Sequence, residues 1–115
     1  MRTLLKLAAM EEAQYDMLDR ELGVPIYCFY SGGVPTAERL VYDSMSMIRG
    51  SEPRLETGDG DGTVNLRSLE ACRRWMDVQQ RHPVNVTYYP GVEHKALLHH
   101  HDLISDILSV TERVQ

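Results

Sequence analysis

Residues 24–30, with the sequence VPIYCFY, restrict the possible folds of this chain more than any other segment, because all seven are apolar and most are β-branched or aromatic. An uninterrupted run of this kind is typical of a strand buried on both faces of a parallel sheet. Such a sheet needs helices on both faces, and a chain of 115 residues is short for that architecture. We therefore expect at most one small structural unit.

The segments that flank this strand carry weaker signals. Loosely helical spacing of apolar residues predicts a helix over residues 4–20, which Gly23 and Pro25 end. The apolar sequence LVY at residues 40–42 indicates a short strand. Residues 44–53 show little periodicity and are typical of a surface connection.

The second half of the chain alternates between strand and helix patterns. A glycine-rich loop at residues 58–64 leads into apolar residues at helical spacing over residues 66–76. Residues 84–89 alternate as a half-buried strand, and Asp102 is a suitable N-cap for a final amphipathic helix. The order strand, loop, helix, strand, loop, helix predicts α/β architecture.

Charge and hydropathy exclude several classes of function. The net charge is −5 and no basic run interleaves with aromatic residues, so we expect no nucleic-acid partner. No apolar run approaches the roughly 20 residues of a membrane-spanning helix, so membrane contact should be peripheral. Lys6 and the acidic pair Glu11-Glu12 interrupt the N-terminal apolar stretch, which we interpret as an amphipathic helix rather than a signal peptide.

Asp61 and His94 are the two residues best placed for catalysis. Both follow predicted strands, where the functional groups of open α/β sheets gather. In α/β hydrolases the triad order along the chain is Ser, Asp, His, and His94 follows Asp61 by 33 positions with a predicted helix and strand between them. The pattern alone does not establish a catalytic role for Asp61, because an Asp between glycines usually forms a turn.

Several separate blocks resemble one known family when they are taken in order. They are GVPIYCFY at residues 23–30, GVPT at 33–36, YD at 42–43, GDGDGTV at 58–64 and EAC at 70–72 with Trp75. Together they resemble the end of the lecithin:cholesterol acyltransferase family, which includes the lysosomal phospholipase with transacylase activity. The similarity extends from about residue 22 to residue 108, and residues 1–21 resemble the family only weakly.

The resemblance implies a fold and a reaction. The fold is α/β, as the C-terminal portion of an α/β-hydrolase fold with the late strands and helices of a mostly parallel sheet. The reaction moves a fatty acyl group from a phospholipid, at a membrane or lipoprotein surface, to a sterol, another lipid alcohol or water. The family also implies the secretory pathway, either secreted or lysosomal, and neither a metal nor an organic cofactor.

The resemblance assigns residues as well. In the family the Asp directly before Gly-Thr-Val is the triad acid, which is Asp61 here rather than Asp59. The triad His follows the next strand, and the corresponding residue is His94. Two cysteines alone fit either a reduced protein or one disulfide. The resemblance implies a disulfide between Cys28 and Cys72.

The nucleophile is not among the matched blocks. The family's Gly-x-Ser-x-Gly elbow, its oxyanion loop and its lid all precede this region. We therefore expect residues 1–115 to be the C-terminal fragment of a single α/β-hydrolase domain, inactive without the preceding part of the enzyme. A non-catalytic remnant or partner subunit remains the alternative.

Three other interpretations compete for the same residues. Ser31 could be a nucleophile, but Phe29 stands where the elbow needs a small residue and Pro35 disfavours a following helix. The segment from Asp59 to Glu70 resembles a calcium-binding loop, although Val64 occupies the position that requires Gly. The histidines 99–101 would point about 100° apart on a helix and could not share one metal ion.

Overall fold

The computed structural model describes residues 20–44, 50, 52–79 and 81–113. The helix predicted over residues 4–20 therefore lies outside the described residues, apart from Arg20. The described strands are β1 (Ile26–Gly32), β2 (Val34–Val41), β3 (Arg54–Gly60) and β4 (Val84–Pro90). The helices are α1 (Leu66–Leu69), α2 (Arg74–Val78) and α3 (His101–Arg113), with 3-10 turns at Glu70–Arg73 and Ala96–His99.

Strands β1 and β4 form a small parallel sheet. The Ile26 amide donates to the Pro83 carbonyl at the start of both strands, and the Gly91 amide donates to the Gly32 carbonyl at their ends. The α/β prediction is confirmed at this level, since parallel strands require a crossover connection and the helices α1 and α2 lie in it.

Burial of β1 differs from the expectation of a strand covered on both faces. Tyr30 and Ser31 are buried, whereas Tyr27 is exposed. Among the described residues β4 is the strand hydrogen-bonded to β1. An apolar run shows what a strand is able to bury, but its burial depends on how many neighbours it has.

Strands β2 and β3 form a separate antiparallel pair, which the sequence patterns did not predict. The register runs from Val34 opposite Gly60 to Val41 opposite Arg54, with an irregularity between Ala37 and Arg39. Two local predictions are corrected by this pairing. The short strand predicted at residues 40–42 is instead the eight-residue β2, which ends at Val41.

The glycine-rich segment is the second local correction, because its first three residues are the end of β3 rather than a loop. Glycine is a poor strand former on its own, and the ladder to β2 compensates for its low propensity. Part of the connection predicted at residues 44–53, namely residues 45–49 and 51, lies outside the described residues.

The chain divides into two compact units, residues 1–28 with 70–87 and residues 29–69 with 88–115. In the first unit the disulfide joins Cys28 to Cys72. Gln79 is also buried there; its side chain accepts a hydrogen bond from the Leu22 amide and donates one to the Val24 carbonyl. The helix predicted over residues 66–76 is interrupted by the 3-10 turn that carries Cys72.

In the second unit, a side-chain hydrogen bond to Tyr89 and a buried leucine hold α3. The Tyr89 hydroxyl donates to Asp106 Oδ2 at 2.6 Å, and Leu103 is buried. Burial and the Asp106 carboxylate raise the pKa of Tyr89 well above its usual value, so the phenol remains a donor. The helix α3 begins at His101, so Asp102, the predicted N-cap, lies in its first turn. None of the described helices is long and apolar enough to cross a membrane.

The disulfide should contribute substantially to the free energy of unfolding. It joins positions 44 residues apart, for which chain-entropy reasoning gives about 4 kcal/mol before any native-state strain is subtracted. We expect the double variant Cys28→Ser/Cys72→Ser to lose stability on that scale in urea denaturation. A reductant should destabilise the unsubstituted chain and leave the double variant unchanged. Recovery of free Cys28 and Cys72 thiols from protein made in an oxidising compartment would contradict the pairing.

Candidate active site

Asp61 follows β3 directly and has almost no contact with solvent, with 2% of its surface exposed. Its Oδ1 accepts hydrogen bonds from the amides of Thr63 at 3.0 Å and Val64 at 2.7 Å. The Asp61 amide in turn donates to the Val64 carbonyl. The carboxylate is therefore held by a tight turn that its own neighbours close, and Gly62 provides the positive φ of 90° that the turn needs.

His94 reaches Asp61 from the loop after β4. The loop leaves the strand at Gly91, whose φ is 74°. The His94 amide donates to the Asp61 carbonyl at 2.8 Å, and His94 Nδ1 lies 2.7 Å from Asp61 Oδ2. The two residues predicted from the sequence as acid and base are thus hydrogen-bonded through both backbone and side chains.

The geometry fixes which nitrogen of His94 is available for chemistry. Since an ionised carboxylate only accepts hydrogen bonds, Nδ1 carries the proton and Nε2 presents its lone pair. The side chain is 47% exposed, in contrast to its buried partner. An imidazole in this tautomer can accept a proton at Nε2 while the carboxylate stabilises the cation that forms.

Hydrogen bonding keeps Asp61 ionised despite its burial. Burial by itself raises the pKa of this carboxyl, but the hydrogen bonds from the Val64 amide, the His94 ring and the Thr63 amide outweigh it. The net pKa lies below the usual 3.8. At neutral pH the site therefore contains a fixed negative charge beside the imidazole.

A cavity of about 340 Å³ lies against the Asp61–His94 pair. Its wall is mostly apolar and also includes one serine and one lysine. The residues besides the pair are Phe29, Tyr30, Ser31, Leu69, Lys95, Leu97 and Leu98. An imidazole beside an apolar cavity is suited to a substrate with a hydrocarbon portion.

Ser31 lines this cavity without the geometry of a nucleophile. It lies inside β1, and β2 rather than a helix follows at Val34. Its side chain is fully buried, and Oγ has no hydrogen-bond partner among the described residues. Ser31 therefore makes no hydrogen bond to His94, and the strand-to-helix turn of a nucleophile elbow is not formed here.

A calcium-binding loop would need carboxylate oxygens that are free to bind the ion, but protein donors already bind the carboxylates of this segment. Asp59 Oδ1 accepts the Gly33 amide at 2.7 Å, and both oxygens of Asp61 are engaged as described above. Glu70 lies 3.6 Å from Arg73. Within the part of the chain that the structure describes, no group of three or more His, Cys, Asp or Glu side chains is arranged to hold a metal ion.

The histidines 99–101 do not lie on one helix, which corrects the helical geometry expected for them. His99 ends the second 3-10 turn and His101 begins α3. His100 lies between them, with its ring edge-on to Tyr89 at 5.5 Å and its Nδ1 buried.

Thr36 is the residue of this site that the sequence did not reveal. It belongs to the quoted GVPT block, but nothing in its type or spacing indicated contact with the Asp61 turn. The structure buries it at 1% exposure and places its Oγ1 2.9 Å from the Gly62 amide.

A buried acid paired with a histidine at strand ends, on a mixed α/β framework, is the arrangement of an acid–base centre. The family model described as lecithin:cholesterol acyltransferase matches residues 4–107, and the chain belongs to this family.

Individual relatives support the same assignment. The chain is 42% identical over 76 residues to the lysosomal phospholipase A and acyltransferase of Canis lupus familiaris, covering 66% of this chain and 18% of that protein. It is 42% identical over 72 residues to the phosphatidylcholine-sterol acyltransferase of Gallus gallus, covering 63% and 17%. For the lecithin-cholesterol acyltransferase-like 1 protein of Arabidopsis thaliana the identity is 36% over 86 residues, covering 75% and 18%. The chain thus spans about a fifth of the length of these relatives.

The orphaned hydroxyl of Ser31 predicts a stabilising substitution. A buried polar group without a partner costs about 1 to 3 kcal/mol, and Ser31→Ala removes it with little change in volume. We expect the free energy of unfolding to rise by about 1 kcal/mol in urea denaturation. Loss of stability would show that the hydroxyl has a partner in solution.

Ionisation of Asp61 predicts how stability depends on pH. Because its pKa is lower in the folded chain than the usual value, its contribution is complete above the unfolded pKa of about 3.9 and is lost as the pH falls through the folded value. We expect the stability advantage of the unsubstituted chain over Asp61→Asn to shrink below about pH 4. Urea denaturation at a series of pH values measures it, and parallel pH curves for the two proteins would contradict the prediction.

Proposed function

We propose that this chain supplies the acid and the base of a Ser-His-Asp triad in a lipid acyltransferase or phospholipase. The observation that carries the proposal is the 2.7 Å contact between His94 Nδ1 and the buried, ionised Asp61. Membership of the lecithin:cholesterol acyltransferase family supports it, as do relatives whose names combine phospholipase and acyltransferase activities. The framework is then the late part of an α/β-hydrolase fold.

The nucleophilic serine comes from outside these 115 residues. The matched region is 18% of such a relative, which leaves room in the whole enzyme for the elbow, the oxyanion donors and a lid. The buried Ser31 lacks both an elbow and a hydrogen bond to His94, which favours an external nucleophile over the rival triad.

The first half-reaction proceeds from this arrangement. The serine oxygen attacks the acyl ester carbon of a phospholipid while His94 Nε2 takes the hydroxyl proton. Asp61 stabilises the resulting imidazolium and holds its orientation. The imidazolium then gives the proton to the departing lysophospholipid oxygen as the ester bond breaks, which leaves an acyl-enzyme.

In the second half-reaction His94 takes a proton from the acyl acceptor, and the acceptor oxygen attacks the acyl carbon of the acyl-enzyme. The bond between the acyl group and the serine then breaks, and the serine oxygen takes the proton back from the His94 imidazolium. A sterol or another lipid alcohol gives acyl transfer, and water gives hydrolysis. The apolar wall of the cavity beside His94 is compatible with the acyl chain or a lipid acceptor. We place this reaction at a membrane or lipoprotein surface in the secretory pathway, in keeping with a relative named as lysosomal.

The two aspartates of the GDGDG segment offer a matched test. In Asp61→Asn the amide nitrogen would disfavour a proton on His94 Nδ1, and the wrong tautomer should lower kcat by roughly 10⁴. In Asp59→Asn the amide oxygen can still accept the Gly33 amide, so activity should change far less. Fatty acid release from phosphatidylcholine vesicles measures both, with the chain fused to the preceding portion of a family enzyme.

The residues 1–115 alone serve as the control and should be inactive, because the proposed nucleophile lies outside them. Equal effects of the two Asn substitutions would contradict the assignment of Asp61. If the chain alone has serine-hydrolase activity and Ser31→Ala abolishes that activity, Ser31 is the nucleophile and the proposal of an external serine is wrong.

A further inference from the structure

Thr36 holds the backbone of the Asp61 turn from the neighbouring strand. Its hydroxyl donates to the Val34 carbonyl at 2.8 Å. The same oxygen accepts the Gly62 amide at 2.9 Å. Because the hydroxyl proton is used within β2, the oxygen presents a lone pair to the residue directly after Asp61.

Gly60, the residue directly before Asp61, has no side chain and so leaves space for the Thr36 hydroxyl. A Cβ at Gly60 would overlap Thr36 Oγ1 and the Val64 carbonyl. The two glycines that flank Asp61 therefore have different roles. Gly60 leaves room for Thr36, whereas Gly62 has the positive φ of the turn and donates its amide to the threonine.

The contact bears on the hydrogen bonds that keep Asp61 ionised. The Gly62 amide is adjacent in the chain to the Thr63 amide, and the Thr63 and Val64 amides both donate to Asp61 Oδ1. Fixing Gly62 limits the rotation of the peptide units that aim these donors. The β-branched side chain of threonine is stiff at χ1, so a buried threonine fixes the oxygen better than serine would.

We propose that Thr36 is a positioning residue for the acid of the triad, acting through Gly62 on Asp61 and thereby on His94. This inference rests on the proposed function only for its catalytic consequence. The geometric part, that Thr36 fixes the Asp61–His94 contact, holds in the chain whatever reaction the site supports.

The first experiment is NMR of the full 115-residue chain and its Thr36→Val, Thr36→Ser and Thr57→Val variants. Valine keeps the shape of threonine and removes the hydroxyl, and serine keeps the hydroxyl. Thr57 lies exposed in the same β2–β3 sheet and serves as the matched control.

In Thr36→Val we expect faster exchange of the Gly62, Thr63 and Val64 amides and loss of the low-field His94 Nδ1 proton signal. Thr36→Ser should retain the signal, and Thr57→Val should match the unsubstituted chain. An unchanged Nδ1 signal in a folded Thr36→Val chain would overturn the proposal. Should the valine variant not fold, Thr36→Ala takes its place, and failure of both to fold while Thr36→Ser folds would overturn it in favour of a purely structural role.

The second experiment measures turnover in the fused enzyme used for Asp61. A misplaced acid should lower kcat by about 10- to 100-fold and leave KM unchanged, since Thr36 does not line the cavity. Thr36→Ser should restore most of the rate. Equal changes in kcat for Thr36→Val and Thr57→Val would overturn the positioning role. If Asp61→Asn is active while the NMR changes of Thr36→Val occur, the proposed function fails and the geometric inference stands.

Discussion

The site depends on a buried negative charge that the backbone keeps ionised. Asp61 is removed from solvent, and burial alone would favour its neutral form. Two amides of its own turn and the ring of His94 supply hydrogen bonds that reverse this preference. An ionised acid is what fixes the tautomer of the histidine, so the proposed acid–base chemistry depends on the shape of one four-residue turn.

Residues from two other strands also support this turn. Strand β2 contributes the Thr36 hydroxyl, and β4 delivers His94 through the loop that begins at Gly91. The Asp106 carboxylate on α3 accepts the Tyr89 hydroxyl of β4. Ser31 is an exception to this pattern of satisfied groups, because its buried hydroxyl has no described partner beside an apolar cavity.

The failures of sequence interpretation have a common physical origin in non-local pairing. Residues 58–60 were expected to be loop because glycine has a low strand propensity, yet they pair with β2 and end β3. The strand β2 is also longer than its sequence pattern predicts. Pro35, Glu38 and Arg39 interrupt the alternation of apolar and polar residues that would identify it as a strand. Local pattern also cannot distinguish a parallel from an antiparallel neighbour. These features are decided by partners far away in the chain.

The sequence by itself determined the element types at β4 and α3, because alternation and helical spacing are local properties of the chain. It also carried the family blocks that single out Asp61 and the two cysteines, and the position after the next strand that singles out His94. Only the tertiary structure decided that Thr36 supports the Asp61 turn, that Gly60 makes room for it and that Ser31 is buried without a partner. Each of these depends on a distance between segments that are separate in sequence, and such distances arise only when the strands pair.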